Sequence, residues 1–529
     1  MRNPQYHQAR TPHDSHPATA RARILLPALI LLACVSSCTT NPVTGKNELS
    51  LVSENWELKT GAQQYVPARQ SQGGDYVADP QVQAYVQEVG NKIAKVSDRQ
   101  LPYEFHVINN STPNAWALPG GKIAINRGLL TELGSEAELA AVLGHEVVHA
   151  AAKHSAQAIQ RGTLLQAAVL VAGIATADSE YGQVAAMGAN ASAVLFNAKY
   201  GRDAERQSDI FGMNYMSRAG YDPQGAVDLQ QTFVELKDGQ KSDFLRGLFA
   251  SHPPSQERLA ANRAHASTLP GGGVSGQARY RAVMAGLERS QPAYDAYDEA
   301  RQAMADNRLT AARQLVNQAI KGEPEESHFF ALLGDIELAQ NDVAKADRAF
   351  DRAIALNPDF FYTRLRSGVV KEQRGRLGEA KQQLNRSLAL LQTAQAYGAL
   401  GAIAEREGNL QQAEALYAKA ANDTGAAGQT ALTSLISLRS QSRPQSLVGL
   451  GWNVSAQGTV LVQAANKTPR TLRGVNVQIR VVDGQGRGRN FNQRIASLPP
   501  NQAQQLDTRL PAGSGQVQLN VVSIESVGR

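Results

Sequence analysis

Three periodicities divide the chain. From Ser135 onward apolar side chains recur at helical spacing, with Leu139, Val142, Leu143 and Val147 on one face, and Ser135 followed by Glu138 has the form of a capping box. This predicts a helix with Gly144-His145-Glu146-Val147-Val148-His149 inside it. Further along, small and apolar positions repeat with a period near 34: Gly334, Ala346, Phe350, Ala353 and Pro358, then Gly368, Ala380 and Leu384, then Gly401, Ala413, Tyr417 and Ala420. A weaker earlier copy has Ala312, Val316, Ala319 and Pro324. Small residues at fixed places let paired helices pack closely, so this segment predicts stacked helical pairs. From about Ser446 the period falls to two, as in Thr459-Val460-Leu461-Val462 and Val475-Asn476-Val477-Gln478-Ile479, with turns such as Asp483-Gly484 and Pro499-Pro500-Asn501 between runs. That alternation predicts a small β-sandwich.

The chemistry lies in the first of these patterns. His145 and His149 stand one helical turn apart on one face, a spacing that lets two imidazoles ligate one Zn²⁺, while Glu146 is offset to reach a metal-bound water as general base. A catalytic zinc has three protein ligands and one open position, so a third donor must come from elsewhere. Glu205, near the start of a second predicted helix that ends near Gly220, is the candidate. Asp209 lies one turn beyond it, placed to accept a hydrogen bond from the free nitrogen of a ligating histidine. His154 falls about 140° further round the helix than His149 and is expected to be structural.

Composition narrows the classes. With 529 residues, 42% of them hydrophobic and 19% charged, the chain is long enough for about three folded units and is not disordered. Arg21 and Arg23 precede the apolar run Ile24 to Ala33, a signal-peptide pattern too short to span a bilayer. The run closes with Val35-Ser36-Ser37-Cys38, which resembles the lipobox of bacterial lipoproteins, with Cys34 as the competing site. Cys38 is then the lipidated first residue, and Thr39 after it favours the outer membrane, facing the periplasm of a Gram-negative bacterium, so the membrane is met through the lipid alone. Past that point 49 basic residues face 46 acidic ones without a basic block, which excludes nucleic acid as a partner. Only two cysteines occur, both in this N-terminal segment, so a disulfide framework is excluded.

Four pieces in order resemble the zinc metallopeptidases grouped around the CAAX prenyl protease, HtpX and BepA: Asn114-Ala115-Trp116-Ala117-Leu118-Pro119-Gly120-Gly121, the HExxH helix, the helix of Glu205 and Asp209, and Ser251-His252-Pro253 followed by Arg258. The resemblance implies an α+β zincin-type metallopeptidase domain holding one zinc per chain, with His145, His149 and Glu205 as ligands, Glu146 as catalytic base and Asp209 behind the ligands. Ser208 stands where the family usually has Ala. His252 is expected to approach the zinc or the substrate, or to block the open position at rest. Arg258 either stabilises an oxyanion or pairs with an acid of the fold, and Asn114 opens a segment whose strand Lys122 to Asn126 is expected to border the cleft and pair with extended substrate. The 34-residue register is that of a tetratricopeptide-repeat solenoid, an all-α surface for a protein partner.

The expected multidomain layout is a signal peptide over 1–37, the peptidase over 38–268, a flexible link over 269–285, the repeats over 286–425, a second link over 426–445 and the β domain over 446–529. The apolar stretch Leu164 to Ala177 is read as a buried or cleft-covering helix. The function that follows is zinc-dependent hydrolysis of misfolded or misassembled envelope proteins. The alternative is a chaperone or assembly scaffold in which proteolysis is secondary, against which the intact Glu146 counts.

Overall fold

A computed structural model describes residues 38–49, 52–162, 200–238, 252–482, 486–512 and 516–528. The expected signal segment and the stretch Leu164 to Ala177 lie outside the described residues.

The chain enters through a hairpin of β1 (Cys38–Thr40) and β2 (Asn47–Leu49), then helices α1 (Glu54–Ser71) and α2 (Pro80–Lys95). A three-stranded sheet follows, from β3 (Glu104–Ile108), β4 (Ala115–Leu118) and β5 (Lys122–Asn126), and after a short α3 (Arg127–Leu130) comes the HExxH helix α4 (Glu136–Ala151). Strand β5 is the central strand, parallel to β3 and antiparallel to β4, with Ala124 opposite both His106 and Trp116. The sequence reading placed the cleft-bordering edge at Lys122 to Asn126. Both flanks of that strand are already paired, so the sheet's edges are β3 and β4, of which β4 lies within the same Asn114 to Asn126 segment.

Helix α4 begins as its capping box predicts: Ser135 Oγ accepts from the Glu138 N–H at 3.1 Å, and the Glu138 carboxylate accepts from the Gly134 N–H at 3.0 Å. It crosses α5 (Arg202–Arg218) at a pair of glycines, Gly144 and Gly212, whose backbones touch. Helices α6 (Gln224–Asp238) and α7 (Gln256–Ala266) complete this N-terminal unit.

The expected flexible link over 269–285 is instead ordered structure. Val274 forms a bridge to Tyr221, the Ser275 carbonyl accepts from the Ala137 N–H in the first turn of α4, and α8 (Gln277–Ala305) starts immediately after. Tyr280, Met284 and Leu287 of α8 are buried in the same core as α4, so one core runs from the HExxH helix into the first repeat. The glycines before α8 make turns, with Gly272 and Gly276 at positive φ.

The repeats are the helix pairs α8 with α9 (Leu309–Gly322), α10 (Ser327–Ala339) with α11 (Val343–Leu356), α12 (Phe361–Gln373) with α13 (Leu377–Leu390), and α14 (Ala394–Arg406) with α15 (Leu410–Ala420). Their register has a steric basis: a Cβ on Gly334, Gly368 or Gly401 would lie 2.7, 2.6 or 2.7 Å from Phe350, Leu384 or Tyr417 of the same repeat. Each turn inside a pair places one residue at positive φ, and these are Asn307, Asn341, Gly375 and Gly408. The second expected link, 426–445, is mostly helix α16 (Ala426–Ser442), which packs Ala431, Leu435 and Leu438 against the last repeat and Ile436 into the β domain.

That domain has two three-stranded antiparallel sheets. One has the order β10 (Ala503–Pro511), β7 (Thr459–Asn466), β6 (Val448–Val454); the other has β11 (Gln516–Val527), β8 (Leu472–Val482), β9 (Gly488–Leu498). Val460, Val462 and Ala464 of one sheet share a core with Val475, Val477 and Ile479 of the other, as the period of two requires. Among the described residues no helix is long and apolar enough to cross a membrane.

Candidate metal and catalytic centre

The crossing of α4 and α5 builds the centre. In an α-helix residues four apart share a face, so α4 presents His145 and His149 together and α5 presents Glu205 and Asp209. A Cβ at Gly144 would sit 3.1 Å from the Gly212 carbonyl oxygen, and one at Gly212 would sit 3.1 Å from the His145 backbone nitrogen. The two helices therefore approach at backbone contact, which brings all four side chains into one buried cluster.

Three donor side chains meet there. His149 Nε2 lies 3.0 Å from His145 Nε2 and 3.3 Å from Glu205 Oε1, and His145 Nε2 lies 3.5 Å from Glu205 Oε2. A tetrahedral cation with nitrogen and oxygen donors at ~2.0–2.1 Å has donor-to-donor edges of ~3.3 Å, so the spacing and the donor types fit a metal ion. His252 joins the same cluster from outside the two helices, its Nδ1 3.1 Å from Glu205 Oε1 and 3.3 Å from His145 Nε2. Its Nε2 points to Glu146 Oε1 at 3.5 Å.

Behind the donors stands a supporting layer. Asp209 Oδ1 is 3.0 Å from His145 Nδ1. Arg258, held by Ser255 at the start of α7, turns its guanidinium inward: Nε and Nη2 each donate to Asp209 at 2.7 Å, and Nη1 meets Glu205 at 3.0 Å and the Pro253 carbonyl at 3.1 Å. Of the two readings of Arg258, the structure brings about the pairing with acids, because every nitrogen of the fork is engaged and the residue is buried behind the cluster. Asn114 is half-buried, and its carbonyl accepts from the Asn126 N–H at 2.8 Å.

His154 reaches the centre in a way that its spacing hides. Helix α4 stops at Ala151, Lys153 takes φ 63°, and a new helical stretch begins at 154. The turn folds His154 back so that its Nδ1 lies 3.2 Å from His149 Nδ1, while its Nε2 is 3.0 Å from Gln207 Oε1. An amide oxygen only accepts, so His154 Nε2 carries the proton, its Nδ1 accepts from His149 Nδ1–H, and His149 Nε2 is left with its lone pair toward the cluster. Tyr200 covers the same ring, stacked on His149 with centroids 3.8 Å apart, and its hydroxyl reaches Ser155 Oγ at 3.0 Å. No periodicity marks either contact, since both depend on a reversal of chain direction. The N-terminal hairpin braces this corner: Asn41 Nδ2 donates to the Ala152 carbonyl at the end of α4, at 3.1 Å.

Electrostatics follow from burial. Burial pushes the Glu146 carboxyl up, partly offset by His252 and His145, and its Oε2 has no hydrogen-bond partner among the described residues. Burial would likewise raise Glu205 and Asp209, but the neighbouring imidazoles outweigh it at Glu205 and Arg258 outweighs it at Asp209, so both are held below the usual carboxylate range. Burial opposes a charge on His145, yet Glu205 and Asp209 hold it up to about 10.

Residues 80–266 match Peptidase family M48. The chain is 28% identical over 351 residues to the beta-barrel assembly-enhancing protease of Escherichia coli (strain K12), covering 60% of this chain and 70% of that one. It is 34% identical over 221 residues to the mitochondrial metalloendopeptidase OMA1 of Schizosaccharomyces pombe, covering 41% and 63%. It is 28% identical over 251 residues to the metalloprotease YcaL of Escherichia coli (strain K12), covering 43% and 93%. Among solved structures, a thermophilic TPR protein of Thermus thermophilus is similar to 32% of this chain and 87% of its own length, at 20% identity and a TM-score of 0.24. The donor cluster and the sequence similarity together make this chain a metalloendopeptidase, similar over residues 80–266 to peptidase family M48 and, over more of its length, to the beta-barrel assembly-enhancing proteases.

Proposed function

We propose that the chain is a zinc endopeptidase, anchored through a lipid on Cys38 and facing the periplasm, that degrades misfolded or misassembled envelope proteins recruited by its repeats. The observation that carries the reading is the convergence of His145, His149 and Glu205 in one buried cluster beside Glu146. Those three residues would hold the zinc, which would supply a Lewis acid for the scissile carbonyl and a lowered pKa for water. Glu146, whose Oε2 has no partner among the described residues, takes the proton of the attacking water there and delivers it to the departing amine. Asp209 fixes the His145 tautomer that leaves Nε2 free toward the cluster, His154 and Gln207 do the same for His149, and Arg258 holds Asp209 ionised while pairing with Glu205.

His252, beside both Glu205 and Glu146, is read as the plug of the open position at rest. Asn114 and the β4 edge are read as the place where extended substrate lies. The lipobox-like Val35-Ser36-Ser37-Cys38 supports the anchor, and similarity to proteins named for β-barrel assembly supports envelope quality control. The two C-terminal sheets are read as a β-sandwich with a binding or spacer role.

The test is zinc content and casein cleavage of the purified protein beside Glu146→Gln and His252→Ala. About one zinc per chain, with cleavage lost in Glu146→Gln, supports the reading, and a gain in His252→Ala supports the plug. Metal-free protein that binds unfolded clients without cutting them overturns it in favour of the scaffold.

A further inference from the structure

A cavity of about 40 Å³ opens beside the centre, with His145 and Glu146 in one wall and Val142, Met213 and Leu229 in the others. Water needs only ~10–15 Å³, so the space takes a few waters or the end of a small side chain. Ten of its eighteen lining residues are apolar, and besides the groups of the centre and Asn262 two polar side chains, Ser208 and Gln230, line it. Ser208, on α5 between Glu205 and Asp209, is fully buried, and its Oγ has no hydrogen-bond partner among the described residues. Gln230, on α6, is 5% exposed, and its Oε1 is likewise without a partner among them. Buried polar atoms in folded proteins are nearly always satisfied, so these two, in the same lining as the unpartnered Glu146 Oε2 and His252 Nε2, mark a ligand site.

The chemistry of the pair selects the ligand. Gln230 Oε1 only accepts, whereas Ser208 Oγ donates or accepts. A hydroxyl seated between them donates to Gln230 and accepts from Ser208, satisfying both, while an isosteric methyl leaves both unpaired. Because the cavity shares its wall with Glu146, it faces the side chain next to the bond that is cut. We infer that this cavity receives the substrate residue flanking the scissile bond and selects a small hydroxyl side chain, threonine over valine, through Ser208 and Gln230. This rests on the endopeptidase reading above.

N-acetyl-threonine amide and N-acetyl-valine amide differ only by hydroxyl for methyl, and their binding to the full-length Glu146→Gln protein by NMR titration tests the pocket without any cleavage. The expected result is binding of the threonine probe about tenfold tighter, with the preference abolished or reversed in Ser208→Ala/Gln230→Leu. Equal affinity of the two probes in the parent, as a cavity filled by an ordered water would give, overturns the inference, and so does no binding of either. The second arm sequences the casein fragments released by the wild-type protein, where threonine or serine is expected beside the cut. Threonine preference without casein cleavage counts against the peptidase reading and leaves the pocket standing; cleavage with no enrichment at that position counts against the pocket alone.

Discussion

Replacing Gly212 with alanine probes whether the close crossing of α4 and α5 makes the metal site. An ideal Cβ at this position lies 3.1 Å from the His145 nitrogen, 3.2 Å from the Gly144 carbonyl carbon and 3.4 Å from His145 Cα. All three neighbours are backbone in the middle of a helix, so none can turn aside, and the helices must part by a few tenths of an ångström. Against this, alanine favours the helix over glycine by ~0.8–1.0 kcal/mol. Overpacking of this kind costs about 1–3 kcal/mol, so the net change in stability is small, between roughly 0 and 2 kcal/mol destabilising. The donor spacing has no such compensation: Glu205 and Asp209 ride on one helix, His145 and His149 on the other, and the distances between the two pairs, 3.0 to 3.5 Å, move with the crossing. Disturbing the groups that orient metal ligands typically costs 10–100-fold in affinity, and that loss is expected here. Zinc affinity measured by competition with a chelator, beside thermal unfolding of the metal-free protein, separates the two effects. Unchanged zinc affinity together with a raised melting temperature would refute the argument, since helix propensity would then outweigh a crowding that the site does not feel.

His154→Ala removes the acceptor that fixes the tautomer of His149, and zinc affinity is expected to fall about tenfold or more while Glu146 is untouched, as chelator competition would show. Gly334→Ala drives a Cβ to 2.7 Å from the buried Phe350 ring and is expected to destabilise the repeats by about 1–3 kcal/mol, seen as a lowered denaturation midpoint. Asp347 is buried; burial would raise its pKa, but Lys371, Arg376 and Arg374 outweigh it and hold the carboxyl below its ordinary range. A pKa lower in the folded than in the unfolded chain contributes stability above the unfolded value of ~3.9 that is lost as pH falls through the folded one. Asp347→Asn is therefore expected to cost about 3 kcal/mol at neutral pH and to flatten the acid limb of the unfolding profile, and equal acid sensitivity in both proteins would contradict this.

The local and the periodic were legible without coordinates. The spacing of His145 and His149, the capping at Ser135, the 34-residue register and the alternation after residue 446 are each set by a repeat distance of the backbone, which a sequence displays directly. Glu205 was singled out because zinc chemistry requires a third donor, and Asp209 because it lies one turn further on. Contacts made by chain reversal have no such period. The turn at Lys153 that folds His154 onto His149, the inward fork of Arg258, the centrality of Lys122–Asn126 in its sheet and the cavity shared by Ser208 and Gln230 all join residues distant in sequence or brought together by a turn of unusual backbone angle. Glycine misled in the same way at 271–276: the residue type that allows a flexible link also allows the tight turns which hand Ser275 to the start of the catalytic helix. Sequence alone determined which residues could bind a metal and which repeats could stack, because those depend on side-chain chemistry and helical spacing. Only the tertiary structure decided which groups stand behind the ligands and how the peptidase joins the repeats, because those depend on where separate elements meet in the packed core.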